Sequence, residues 1–170
     1  RRSVRWYPSG GNSYSSQGVR VIRFALTGDG FLDPLSCHLH FKLVNDGYNS
    51  SSPTDTSIHM NNGAFNVIKR LRVLCGGVVV EDIDFANRLY HQLLEWAPAE
   101  ARENLAIMAG KRGDVIGAEA TFAYPLGPSG ILNQSKALPI RYMNLSVECE
   151  IVDTATDIMM LDSELSGGAT

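Results

Sequence analysis

The sequence predicts an all-β sandwich of about eight strands with one helical insertion around residues 84–109. Three observations carry this expectation. Residues 35–44 and 145–153 alternate apolar and polar side chains, the period of a half-buried strand. Glycine- and proline-bearing turn segments separate the other short apolar runs. Only one stretch, in the middle of the chain, changes to the spacing of a helix.

The elements follow in order. Residues 1–18 are rich in Ser, Gly and Asn with Trp6, Tyr7 and Tyr14 interspersed, and read as an extended, weakly structured N-terminal arm. Residues 19–27 form a strand with Ile22, Phe24 and Leu26 on one face and Arg20 joining that row at the edge, broken by Gly28-Asp29-Gly30. In residues 35–44, Leu35, Cys37, Leu39, Phe41 and Leu43 point one way, and Ser36, His38, His40 and Lys42 the other. Residues 45–62 are a polar surface loop with room for a short strand at Ile58-His59-Met60.

Residues 65–75 give the next strand, with Val67, Leu71, Val73 and Cys75 inward. Lys69 falls in the same row, which places the start of this strand near an edge. Gly76-Gly77 is a hairpin turn, and residues 78–83 return as the partner. Asp84 is placed to cap a helix reaching Trp96, with Phe85, Leu89 and Leu93 at four-residue spacing and Ala86, Tyr90 and Leu94 beside them. Pro98 suits the first position of a second helix and Gly110 its end.

After a loop at 111–118, residues 119–124 are a short strand and 125–136 a Pro/Gly loop. Residues 137–142 are strand-like. In residues 145–153, Leu145, Val147, Cys149 and Ile151 face in, while Ser146, Glu148 and Glu150 face out. The last residues, 154–170, read as a C-terminal tail or a linker to a second domain. Because several connections are long, Greek-key or jelly-roll topology is expected over a meander. The jelly-roll domain then spans residues 19–153.

The 170 residues suit one domain with tails, and 44% hydrophobic with 19% charged residues is globular composition. No apolar run approaches the roughly 20 residues of a membrane-spanning helix. The chain opens Arg1-Arg2-Ser3-Val4-Arg5, as expected of a fragment, a processed product or the visible part of a longer polypeptide. Net charge is −3 but divided. Residues 1–80 carry nine Lys/Arg and four Asp/Glu, a net +5, and residues 81–170 carry six and fourteen, a net −8. Halves of opposite charge can attract each other across subunits. Genome contact through Arg1, Arg2 and Arg5 is possible but not favoured, because three arginines are few for a basic arm. Cys37, Cys75 and Cys149 are an odd, widely spaced set at apolar strand positions, so they read as small buried hydrophobes of a chain folded under reducing conditions.

The chemistry of an enzyme is missing. His38 and His40 share an outward strand face, but zinc needs further ligands that the pattern does not place there. Gly28-Asp29-Gly30-Phe31 lacks the third glycine and the following helix of a dinucleotide loop. Glu148 and Glu150 project from one face about 7 Å apart, which more often makes a solvated or subunit-facing stripe than a glycosidase pair. Glu81, Asp82 and Asp84 are oxygen ligands in type, and turn and cap chemistry accounts for at least Asp84 without a cation. Asn49, Asn133 and Asn144 open glycosylation triplets that matter only in a secreted chain. No catalytic residue, cofactor or metal is expected.

Three stretches together carry a resemblance. They are Ile22-Arg23-Phe24-Ala25-Leu26 with Gly28 to Pro34; Ile68-Lys69-Arg70-Leu71-Arg72-Val73-Leu74 with Gly76-Gly77, Val80-Glu81-Asp82-Ile83 and Asn87-Arg88-Leu89; and Leu138-Pro139-Ile140-Arg141-Tyr142 before the Glu-rich strand. In this order the chain resembles, over residues 19–153, the first jelly roll of major capsid proteins of the double jelly-roll lineage of DNA viruses, in the style of virophages and Polinton-like viruses. A double jelly roll needs about twice this length, so the chain is either one half or a single jelly-roll capsid protein.

The resemblance implies a structural virion protein without an active site. It would be made in the host cell interior and self-assemble through trimers or higher capsomers into an icosahedral shell, beside penton or minor capsid proteins. The residues expected at subunit interfaces are Arg1, Arg2, Arg5, Trp6 and Tyr7 of the arm, the basic Lys69, Arg70 and Arg72, and the acidic Glu148 and Glu150. The alternative is a non-catalytic β-sandwich binding module, for instance for carbohydrate, whose only candidate aromatics are Trp6, Tyr7 and Tyr14.

Overall fold

The computed structural model describes residues 2–52, 57–60, 63–111, 114–153 and 159–160. Its strands are β1 (Val21–Leu26), β2 (His38–Val44), β3 (Ile58–Met60), β4 (Ile68–Cys75), β5 (Val78–Ile83), β6 (Val115–Ile116), β7 (Glu119–Pro125), β8 (Leu145–Ile151) and β9 (Met159–Met160). Helices α1 (Ala86–Trp96) and α2 (Ala99–Ala109) lie between β5 and β6.

The antiparallel pairs are nested. β1 pairs with β8, β2 with β7, β3 with β6 and β4 with β5. An eight-stranded hairpin with its closed end at Gly76-Gly77, rolled up on itself, gives this pattern, which is the jelly roll. Rolling also brings β4 against β8 and closes a four-stranded sheet in the order β1-β8-β4-β5. Both glycines of the turn have positive φ, 58° and 85°, which side-chain-bearing residues rarely adopt. β9 adds a strand to the far edge of β3.

One core joins the layers. Leu26, Leu71, Val73, Leu145, Val147 and Cys149 from the four-stranded sheet are buried with Phe122 and Tyr124 of β7, and Leu39, Phe41 and Leu43 of β2 pack against them. Phe41 and Phe122 are register partners with ring centroids 6.0 Å apart. The insertion closes one end: Tyr90 of α1 lies 5.6 Å from the Tyr124 ring. Burial pushes the Tyr90 hydroxyl up to about 12 and the Cys149 thiol to about 12, so both stay neutral.

Several local expectations change. The second strand starts at His38, because Pro34–Ser36 forms a 3₁₀ turn that leaves Leu35 exposed. The fourth starts at Ile68, after a 3₁₀ turn at Gly63–Asn66. A register shift between Ile68 and Arg70 gives the core position to Ile68 and keeps Lys69 on the rim, so a bulge accounts for the lysine in the apolar row. Asp84 does not cap α1; its carboxylate accepts the Phe85 N–H at 3.0 Å, and Phe85 takes the cap position with φ 54°. Pro98 caps α2 from one residue outside it. Residues 137–142 contribute only a bridge between Leu32 and Leu138, and the loop at 111–118 contains β6. Most of the expected tail at 154–170 lies outside the described residues.

Candidate functional site

The expected interface residues fall in two places. On the outer face of the four-stranded sheet, register places Arg23, Glu148, Arg72 and Asp82 side by side across β1, β8, β4 and β5. Facing charges of opposite sign on neighbouring strands attract. Arg23 donates from Nε to Glu148 Oε1 at 2.6 Å and also pairs through Nη2, while Arg72 Nη2 lies 3.5 Å from Glu148 Oε2. Roofed by two guanidinium groups, the Glu148 side chain is only 4% exposed. Arg70 binds Asp82 with two bonds of 2.8 and 2.6 Å, which holds the Asp82 carboxyl below its usual range. Lys69 binds Asp153 at 3.1 Å and lowers its pKa as well. Glu150 is half-buried opposite Arg70 and Val21. Lys69, Arg70, Arg72 and Glu148 are thus neutralised inside one chain.

The arm is the second place. Trp6 packs partly against the core and donates its indole N–H to Thr27 O at 2.9 Å, and the Ser9 N–H donates to Arg23 O at 2.9 Å. The arm therefore lies along the β1 edge of the sheet. Arg2, Arg5 and Tyr7 stay exposed, and Arg1 lies outside the described residues. Tyr14 is half-buried with its hydroxyl on Gly11 O. Trp6 and Tyr14, two of the three aromatics a sugar site would use, are half-buried, and Tyr7 is exposed.

Pattern reading missed two features. Phe85, Leu89, Leu93 and Trp96 are exposed along α1, while Ala86 and Tyr90, one position on, are buried. The two rows are adjacent on the helix, and periodicity cannot say which of them meets the sheet. Glu81 accepts from the Ser129 hydroxyl at 2.5 Å and the Gly130 N–H at 2.6 Å, and so pins the loop at 125–136 to β5. Side-chain acceptors for loop N–H groups leave no periodic trace.

Among the described residues no group of three or more His, Cys, Asp and Glu could hold a metal, and the His38 and His40 rings stand 6.4 Å apart. A shallow groove of about 360 Å³ between Ala25, Thr27, Gly76, Gly77, Asn144 and Ser146 has no titratable side chain among these walls. No described helix is long and apolar enough to cross a membrane.

No family model and no curated protein matches the chain. Among solved structures, the chain is similar to the quasi-atomic model of the PBCV-1 virus capsid, with a TM-score of 0.64 and 16% identity over 89% of this chain and 34% of that one. A crystal structure of PBCV-1 VP54 fitted into a cryo-EM reconstruction of the virophage Sputnik gives 0.63 and 16%, over 91% and 37%. The chain thus spans about a third of the length of the capsid chains it matches, and its fold is the jelly roll of viral capsid proteins.

Proposed function

We propose that this chain is a structural virion protein, one jelly roll of a major capsid protein, that works by self-association rather than catalysis. The observation that carries this assignment is the fold match over nine-tenths of the chain to capsid structures. A rolled eight-strand hairpin with one continuous core is stiff, and stiffness suits a shell tile, which must keep its shape while its rim makes contacts. In this role the chain resides in the virion, is made inside the host cell, and associates into trimers or larger capsomers of an icosahedral shell, with penton or minor capsid proteins at special positions. The genome is not its main partner, because Arg2 and Arg5 are the only exposed cations of the described arm.

Sedimentation velocity over a concentration series, with negative-stain electron microscopy, tests the assignment. The expected result is concentration-dependent trimers or larger closed assemblies. A chain that stays monomeric at high micromolar concentration and is retained on a glycan column contradicts it.

A further inference from the structure

Two surfaces of the molecule complement each other. The arm follows β1 at one edge, and the helical insertion leaves from β5 at the other, three strand spacings or about 14 Å away. Phe85 at the cap of α1 and Leu89, Leu93 and Trp96 within it form an apolar stripe about 17 Å long; Lys69 and Arg88 stand 5.9 and 5.0 Å over the Phe85 ring, while Trp96 at the other end is 74% exposed. Glu100, in the first turn of α2 just past Trp96, and Glu103 are exposed and make no ion pair with a described residue.

The arm shows the converse set. Val4 and Tyr7 are exposed, Tyr7 by 75%, and Arg2 and Arg5 make no ion pair with a described residue. Residues 2–7, when extended, also span about 17 Å. Trp6 is turned to its own core, so its neighbours Arg5 and Tyr7 are presented outward while the arm stays on its own subunit.

From this complementarity of charge and apolarity we infer that the Trp96 end of the α1 stripe, with Glu100 and Glu103 next along the chain, receives the N-terminal arm of a second copy of the chain. The inference rests on the self-assembly proposed above and names the contact. The contact joins two different surfaces of the chain, so repeated head-to-tail it closes rings when its rotation permits. Salt weakens it, since its charged part is solvent-exposed.

Charge reversal in the full chain tests the contact. R2E with R5E, or E100R with E103R, is expected to weaken association about tenfold or more, with far-ultraviolet circular dichroism unchanged. All four substitutions in one chain restore it, because arm and insertion again carry opposite signs. Trp96→Ser weakens association without a charge change. Association indifferent to all these substitutions overturns the arm contact while leaving self-assembly standing. Weakening by Trp96→Ser alone, or reversal without rescue, means a different occupant covers the stripe and also overturns it. A wild-type chain that never associates overturns the contact and the capsid role together.

Discussion

The outer face of the four-stranded sheet and the outer face of α1 both look away from the core, and they carry opposite chemistry. On the sheet, Arg23, Arg72, Arg70 and Lys69 each pair with an acid of the same chain, Glu148 serving the first two and Asp82 and Asp153 the others. On α1, four large apolar residues stand exposed, with acids of α2 nearby. A surface whose charges are satisfied internally has little to gain from a partner. A helix that is apolar on two adjacent faces can bury only one against its own sheet. The sequence expectation put association on both the arm and this charged sheet face; the contact proposed above uses the arm and the insertion instead.

Substitutions that separate folding from association sharpen this comparison. The largest effect belongs to the core between these surfaces: Leu71→Ala, fully buried in β4, is expected to lower stability by about 2–5 kcal/mol. Leu93→Ala on the exposed row of α1 should change it by less than about 0.5 kcal/mol. Chemical denaturation of both variants decides this. Similar losses would mean that the α1 stripe is covered by its own chain.

The sheet ladder comes next. Glu148→Gln removes the acid shared by Arg23 and Arg72. Because both arginines keep access to water, the expected cost is about 1–2 kcal/mol, less than for a fully buried pair. Glu119→Gln breaks the exposed pair with Lys42 and should cost less than about 0.5 kcal/mol. Equal midpoints for the two would show that the Glu148 cluster is only a surface pair.

The sequence carried the fold further than the site. Strict alternation in β2 and β8 revealed which side chains face the core, and Gly76-Gly77 marked the closed end of the hairpin. Lys69 interrupts the apolar row of β4 because a bulge shifts the side-chain period by one, and β5 pairs with β4 only from Leu71, which leaves the start of the strand at an edge as expected. Residues 137–142 look like a strand in composition, but only Leu138 forms a β-bridge, with Leu32, while Arg141 adds one N–H bond to Gly30 O. Among the residues expected at subunit interfaces, charge totals could not tell that Arg72 and Glu148 are register partners on adjacent strands of one sheet, since pairing 76 residues apart depends on topology.

A smaller effect is expected from acid. Arg70 and Lys69 hold Asp82 and Asp153 below their unfolded values. The stability these carboxylates contribute is therefore present above about pH 4, their unfolded range, and is lost as pH falls through their lower folded values. Thermal midpoints should hold between pH 7 and about 5 and decline below about 4. A decline that begins near pH 6.5 would point to histidines instead.

The central claim is that this jelly roll is a self-associating tile whose contact lies between arm and insertion. Sedimentation velocity of the full chain at ~0.1 M and ~1 M salt, with circular dichroism on the same samples, tests it most directly. The Debye length falls from ~10 Å to ~3 Å across that range. Assemblies that shrink toward monomer while the β spectrum persists are the predicted result. Assemblies unchanged at molar salt, or a monomer at every concentration, would contradict it.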